Sequence, residues 1–394
     1  RKVYGKDLVY FDNAATSQRV RMVLDEWNRI SAESNANIHR AVHRLADEAT
    51  QAYEQARDAV KDCMNAKARE EIIFTSGTTS AVNLVAFCFG EAFVKEGDEV
   101  IVTEAEHHSN IVPWQMMCQR KGAVLKVLPV DDMGHLMVDK LDEIISDRTR
   151  IMAVTHISNV LGIINPVKEV IDICHSRNVP VFVDGAQGAV HCRVDVQELD
   201  CDFYAFSGHK LYAATGTGVL YGKKKWLEQR PPYMGGGEMG GTVKFSGTTY
   251  APLPMKYEAG TQNFASAATL RPAIEFINLL NDSELVKYND AVRDYLLDKL
   301  MSDERIVLYG VPRGTSEEKI PLFSFTVKGV HHEDLALILD KMGIAVRSGQ
   351  MCAEPLMDRF GVTGMIRVSL APYNTMEEAE YFVKCLNKAI DMLI

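Results

Sequence analysis

Two residues set the chemistry open to this sequence. Lys210 closes the run Phe203-Tyr204-Ala205-Phe206-Ser207-Gly208-His209-Lys210, and Asp184 ends the apolar run Val181-Phe182-Val183-Asp184 twenty-six positions earlier. A lysine amine forms a Schiff base with an aldehyde, and an acid beside a pyridine nitrogen keeps that ring protonated and able to accept electrons. Pyridoxal phosphate needs both groups. Taken singly, each residue fits an ordinary strand end or turn, so the surrounding positions decide.

Ser76-Gly77-Thr78-Thr79 follows an apolar run and precedes a helical stretch. Amides and hydroxyls at a helix N-terminus suit an anion such as a phosphate, although serine and threonine also cap helices for structural reasons alone. Ser207 and His209 stand ready as further phosphate donors. Glu106-His107-His108 offers an imidazole that could stack on an aromatic ring or shuttle a proton. A metal site is not expected there, because adjacent histidines point in different directions and no acidic or cysteine set completes a shell. Cys352 lies in a polar, glycine-containing loop five residues after Arg347. A thiolate is the nucleophilic form of cysteine, and a nearby cation with partial exposure favours its chemistry.

The elements that must position these groups alternate between strand and helix over the first two-thirds of the chain, the signature of a parallel sheet wrapped by helices. Strands are expected at 71–74, 99–102, 124–128, 150–154, 181–183 and 218–221, with helices at 80–94 and 167–176. The polar clusters at 75–79, 106–108, 156–159 and 184–187 each follow a strand, where ligands of such sheets collect. From Pro231 to Gln262 the texture turns to glycine, threonine and proline, as in a long functional loop leading to a domain junction. A long helical stretch from Ala265 to about Met301, strands near 321–327, 344–347 and 365–369, and a closing helix then make a smaller α+β unit.

At 394 residues the chain exceeds the size at which one core usually stops growing, so two domains are expected. A net charge of -10 and a single short basic run, Lys223-Lys224-Lys225, speak against nucleic acid as the main partner. No apolar run reaches the length of a membrane span. Eight cysteines are scattered without a C-x-x-C pair, as free thiols in a reducing compartment would be. Cytoplasmic localisation is the expectation. The chain starts with Arg1-Lys2-Val3 rather than methionine, as after removal of a leader or a short N-terminal element.

Taken together, Thr78, Thr79, His107, Asn159, Asp184, Gln187, His209 and Lys210 occur in the order shown by fold-type I pyridoxal-phosphate enzymes. The chain resembles the class V aminotransferase-fold proteins, and closely the cysteine desulfurases and selenocysteine lyases of the SUF type. The likeness runs through residues 9–16, 34–40 and 106–114, then Ser207-Gly208-His209-Lys210, Glu258-Ala259-Gly260-Thr261 and Arg347-Ser348-Gly349-Gln350-Met351-Cys352-Ala353. It departs in two places: many relatives carry two histidines immediately before this cysteine, where Gln350 and Met351 stand here, and the segment Gln262-Asn263-Phe264-Ala265-Ser266 after Thr261 is less glycine-rich than the family pattern.

The resemblance implies an α/β fold of two parts. A large pyridoxal-phosphate-binding domain over 13–262 would hold a mostly parallel seven-stranded sheet, and a small α+β domain from 1–12 and 263–394 would carry the cysteine loop. It further implies that Lys210 bears the cofactor, Asp184 pairs with the pyridine nitrogen, Gln187 bonds the ring hydroxyl and His107 stacks on the ring. Thr78, Thr79, Ser207 and His209 would hold the phosphate, with Thr261 reaching over from the other subunit of a homodimer that shares its active sites. Asn159 and Arg367 would hold the substrate carboxylate, with His39 at the same mouth. The implied reaction converts L-cysteine to L-alanine, leaving the sulfur as a persulfide on Cys352 for a small SUF-type acceptor protein and iron–sulfur cluster assembly. Alternatives are a selenocysteine lyase, a class V aminotransferase or epimerase without sulfur chemistry, and a non-catalytic scaffold.

Overall fold

A computed structural model describes residues 1–281, 283–310 and 319–394. Its centre is a seven-stranded sheet whose strands, in chain order, are β1 (Ile72–Thr75), β2 (Glu99–Thr103), β3 (Val124–Leu128), β4 (Thr149–Thr155), β5 (Val181–Asp184), β6 (Phe203–Ser207) and β7 (Gly218–Gly222), arranged β1-β7-β6-β5-β4-β2-β3. Strands β2 to β6 pair in parallel, whereas β7 runs antiparallel between β1 and β6. Six strands were legible as apolar runs. The seventh, β6, lies inside the run that ends at Lys210.

These runs are near-continuously apolar because the sheet is covered on both faces. Successive side chains alternate between two cores. Ile72, Phe74, Met152, Val154, Val181 and Val183 join one, and Ile73, Val100, Val102, Ile151, Ala153 and Phe182 join the other. Helices Thr78–Phe93 and Val167–Ser176 fall where the periodicity places them.

A second, four-stranded sheet is built from β10 (Ile306–Tyr309), β11 (Leu322–Val327), β12 (Arg347–Gly349) and β13 (Met365–Ser369), in the order β10-β11-β13-β12. Its core includes Phe323, Phe325, Ile366 and Val368, and also Val9 and Phe11 from the other end of the chain. Val9 and Tyr10 pair in parallel with Ile344 and Ala345, so the N-terminal segment packs with the C-terminal sheet.

Three stretches differ from expectation. The strand expected at 344–347 is two, Ile344–Ala345 beside Val9 and Tyr10 and β12 in the four-stranded sheet. The helical run after Ala265 is divided into Phe264–Ala268, Leu270–Leu279 and Ser283–Ser302. Pro272 lacks an amide hydrogen and its ring crowds the carbonyl four residues back, which breaks the helix near Thr269. The glycine-rich stretch after Pro231 contains a hairpin, β8 (Gly240–Lys244) and β9 (Gly247–Tyr250), turned at Gly247. Its threonines, Val243 and Tyr250 supply strand-forming residues that the glycines obscure in sequence.

Candidate active site

The carboxyl ends of β1, β4, β5 and β6 and the loop after β12 meet at one cavity of about 230 Å³. Its lining includes Thr78, Thr79, His107, Asn159, Asp184 and Gln187. Ser207, His209, Lys210, Cys352 and Arg367 complete the set drawn from the sequence. Of the predicted residues, His39 and Thr261 are not among those lining it. His39 Nε2 pairs with Glu54 at 3.2 Å, its Nδ1 is buried without a partner among the described residues, and Thr261 is exposed.

The turn at the end of β1 makes a cradle for an anion. The Thr78 amide donates to Ser207 Oγ at 2.8 Å, and Thr78 Oγ1 lies 2.8 Å from the same oxygen. The cradle is open because Gly77 has φ +147°, and a Cβ there would stand 3.3 Å from Ser207 Oγ. Gly218 on β7 lets this turn approach: a Cβ on it would sit 2.5 Å from Gly77 Cα. Backbone and hydroxyl donors at a helix N-terminus suit a phosphate.

Asp184 ends β5 only 3% exposed, and the one hydrogen-bond partner of its carboxylate among the described residues is the Ala186 amide, at 2.9 Å to Oδ1. Burial pushes its carboxyl upward, while the Ala186 amide and the Lys210 cation pull it back. The turn after it requires glycine: a Cβ on Gly185 would stand 1.9 Å from the Tyr204 ring, whose hydroxyl lies 2.8 Å from His156 Nδ1. Gln187 is anchored by its Nε2, which donates to the Ala14 carbonyl at 2.9 Å.

Lys210 follows β6, and burial lowers its amine to about 8 against the opposing pull of Asp184; Arg367 lowers it further. About a tenth of the amine is therefore neutral and nucleophilic at pH 7, far more than for an ordinary lysine. His107 is held near 3 by burial first, then by Lys210, so its ring is neutral. The Ser109 amide donates to His107 Nδ1 at 3.0 Å, and an amide can only donate, so the ring proton is on Nε2. Beneath it, Glu106 is fully buried and accepts from Thr103 Oγ1 at 2.6 Å, Asn110 Nδ2 at 2.7 Å and the Thr155 amide at 2.8 Å.

Arg367, 3% exposed, donates from Nη1 to the Asn159 carbonyl at 2.9 Å and from Nη2 to Asp12 Oδ1 at 3.2 Å, and its buried Nε has no partner among the described residues. The Cys352 loop crosses the opposite rim. Cys352 is exposed, in contrast to Cys88, Cys118, Cys174, Cys201 and Cys385, which are buried. Burial raises the Cys118 thiol to about 11 and the Cys88 and Cys174 thiols to about 12, leaving them inert packing groups. Arg347, Met351 and Asp12 also shape the site. Arg347 was legible as a cation near the cysteine. Asp12 was not, because it meets Arg367 across 355 positions.

The donor set fits pyridoxal phosphate: a cradle for the phosphate, an acid at the far end and an amine between. A larger cavity of about 700 Å³, lined in part by Cys63, His191, Arg193 and Arg271, contains no comparable lysine and aspartate pair.

Residues 9–382 match the family described as Aminotransferase class-V. A probable cysteine desulfurase of Halalkalibacterium halodurans is 44% identical, covering 98% of this chain and 94% of that protein. One of Vibrio cholerae is 42% identical over 99% and 96%. A cysteine desulfurase of Synechococcus elongatus is 42% identical over 98% of this chain, which spans 61% of that longer protein. Among solved structures, the Escherichia coli cysteine desulfurase CsdA in its S-sulfonic acid form superposes with a TM-score of 0.91 at 40% identity, covering 98% and 96% of the two chains. The apo cysteine desulfurase of Thermococcus onnurineus gives 0.93 at 36%, covering 98% and 95%.

Proposed function

The chain belongs to the class V aminotransferase family, and on that premise we propose that it is a pyridoxal-phosphate-dependent cysteine desulfurase that forms its persulfide on Cys352. The observation that carries this reading is one cavity faced by the Lys210 amine, the Asp184 carboxyl, the Arg367 guanidinium and an exposed Cys352 thiol.

Bound pyridoxal phosphate supplies an aldehyde for amines and a conjugated ring that stores the electron pair released at the substrate Cα. Thr78, Thr79, Ser207 and His209 hold its phosphate, Gln187 its ring hydroxyl and His107 its face. Thr261 reaches the phosphate of the partner subunit in a homodimer. The Asp184 carboxyl would pair with the pyridine nitrogen in a dry setting, where such an interaction is strongest.

Arg367 and Asn159 take the carboxylate of L-cysteine, orienting its Cα hydrogen toward Lys210 Nζ and its sulfur toward Cys352. Lys210 Nζ removes the Cα proton, which its lowered proton affinity permits near neutral pH. Cys352 Sγ then attacks the substrate sulfur. The S–S bond forms as the substrate's Cβ–S bond breaks, the electron pair stays with the carbon, and protonation at Cβ followed by return of a proton to Cα yields L-alanine. A small acceptor protein takes the outer sulfur toward iron–sulfur cluster assembly. The large unit over 13–262 holds the cofactor, and 1–12 with 263–394 carries the cysteine loop. Cytoplasmic residence accords with the free cysteines and, among the described residues, with the absence of any helix long and apolar enough to cross a membrane.

The test is the holoenzyme with L-cysteine, with and without a thiol reductant. Alanine and reductant-dependent sulfide are expected in equal amounts. Alanine formation that persists undiminished in Cys352→Ala would refute the role of this thiol.

A further inference from the structure

We infer that Asn159 is a positioning residue that ties the substrate-orienting arginine to the cysteine loop, so that one side-chain amide aims the Cys352 thiol at the cavity. The inference rests on the desulfurase reading above and assigns Asn159 a task beyond contact with a carboxylate.

Arg367 and Met351, distant from it in sequence, meet at Asn159. Its backbone carbonyl accepts Arg367 Nη1 at 2.9 Å, and its side-chain Nδ2 donates to the Met351 carbonyl at 2.9 Å, both in buried settings. Asn159 is itself 7% exposed and lines the cavity beside Arg367, Met351 and Cys352. Its Oδ1 takes no hydrogen bond from any described residue, so the side chain is oriented by the Met351 carbonyl.

The loop needs such a restraint. Met351 and Cys352 have φ of 57° and 55°, a left-handed conformation that residues with side chains hold only where the surroundings enforce it. The turn closes on itself through the Ala353 amide to the Gln350 carbonyl at 3.0 Å, and two bonds to consecutive carbonyls tie it to the chain opposite: Asn159 Nδ2 to Met351, and the His108 amide to Cys352 at 2.7 Å. The Met351 side chain, 4% exposed, packs into the core beneath the sheet. Of the two carbonyl bonds, only the one from Asn159 comes from a side chain, and that side chain lies in the substrate cavity. Without it the turn keeps its own closing bond but only one tether to the chain opposite, the His108 amide, and can shift as a unit, taking the thiol off its line to the substrate sulfur. Arg367 keeps its bond to the Asn159 carbonyl whatever side chain stands there.

The experiment uses holoenzyme carrying Asn159→Ala and, separately, the isosteric Asn159→Asp, whose carboxylate cannot donate to a carbonyl and whose volume preserves packing should the alanine variant fail to fold. Two quantities are read. One is the single-turnover rate of persulfide formation on Cys352 at saturating L-cysteine; the other is the alkylation of Cys352 by iodoacetamide in resting enzyme, taken as the pH-independent rate of the thiolate. Loss of one hydrogen bond predicts a fall of about tenfold in the saturating rate of Asn159→Ala. Alkylation should be several-fold faster in both variants. A rise in KM alone, with the saturating rate of Asn159→Ala equal to that of the parent, would reduce Asn159 to a carboxylate ligand and overturn the proposal. Alkylation at the parental rate in both variants would overturn it too. Absence of a Cys352 persulfide in the parent would instead break the desulfurase reading, while alkylation still decides the tie by itself.

Discussion

The floor of the cavity and its rim solve opposite problems. Asp184, Ser207 and Thr78 are 3%, 7% and 4% exposed, and each is fixed at or just beyond the end of a strand buried on both faces. Cys352 is exposed, on a left-handed turn held by two carbonyl bonds. Electron storage needs charges held to a fraction of an ångström in a dry place, which a double-sided sheet provides. Sulfur delivery needs a thiol that meets the substrate and then a second protein, which a buried strand end forbids. The division teaches that floor variants should disturb the cofactor and rim variants the sulfur.

The sharpest attempt to break that division is Lys210→Ala. Turnover should drop by roughly 10⁴-fold, and the visible absorbance characteristic of the lysine-bound cofactor should vanish; an unchanged spectrum would remove Lys210 from the floor. Cys352→Ala should lose roughly 10³-fold in alanine production and keep that absorbance, so a bleached variant would mean that rim and floor are one unit. For Asp184→Asn the expected loss in kcat is about 10²–10³-fold, the scale of one misplaced electrostatic partner, together with a shifted absorbance maximum. Kinetics equal to the parent's would show that the buried acid is idle.

Smaller effects sharpen the same contrast. Gly185→Ala forces a Cβ to 1.9 Å from the Tyr204 ring. It should cost about 1–3 kcal/mol by urea denaturation, whereas Gly361→Ala, in open space at φ +66° far from the floor, reports only the backbone penalty. The least drastic test changes pH alone. Because Lys210 is lowered to about 8, its neutral amine is fully present above that pH and falls about tenfold for each unit below it. The rate at which cofactor-free protein takes up pyridoxal phosphate should follow that curve, with a midpoint far under that of an ordinary lysine. A midpoint near 10.5 would contradict the buried setting of Lys210.

How far the sequence reached follows the same division. The sheet was legible because both faces are buried and its strands are apolar throughout, and the polar clusters mark strand ends by contrast. Lys210 and Asp184 declared themselves by type and order. Strand β6 was harder to see as a strand because its apolar run merges into the lysine turn. The hairpin over 240–250 was hidden among glycines, and Pro272 divides a helical pattern whose periodicity continues past it. Asp12 at Arg367 and the bond from Asn159 to Met351 are long-range contacts with no local pattern to betray them. The rim is therefore the part least written in local sequence, since a turn held by two carbonyl bonds depends on whatever chain lies opposite.

The central claim is that the sulfur of L-cysteine leaves its carbon for Cys352. A single turnover of holoenzyme with sulfur-labelled L-cysteine, without reductant and followed by mass spectrometry of the peptide bearing Cys352, tests it most directly. One labelled sulfur is expected on Cys352 for each alanine released, and none on the other cysteines. Alanine released with Cys352 unmodified, the label appearing as free sulfide or on another thiol, would contradict it.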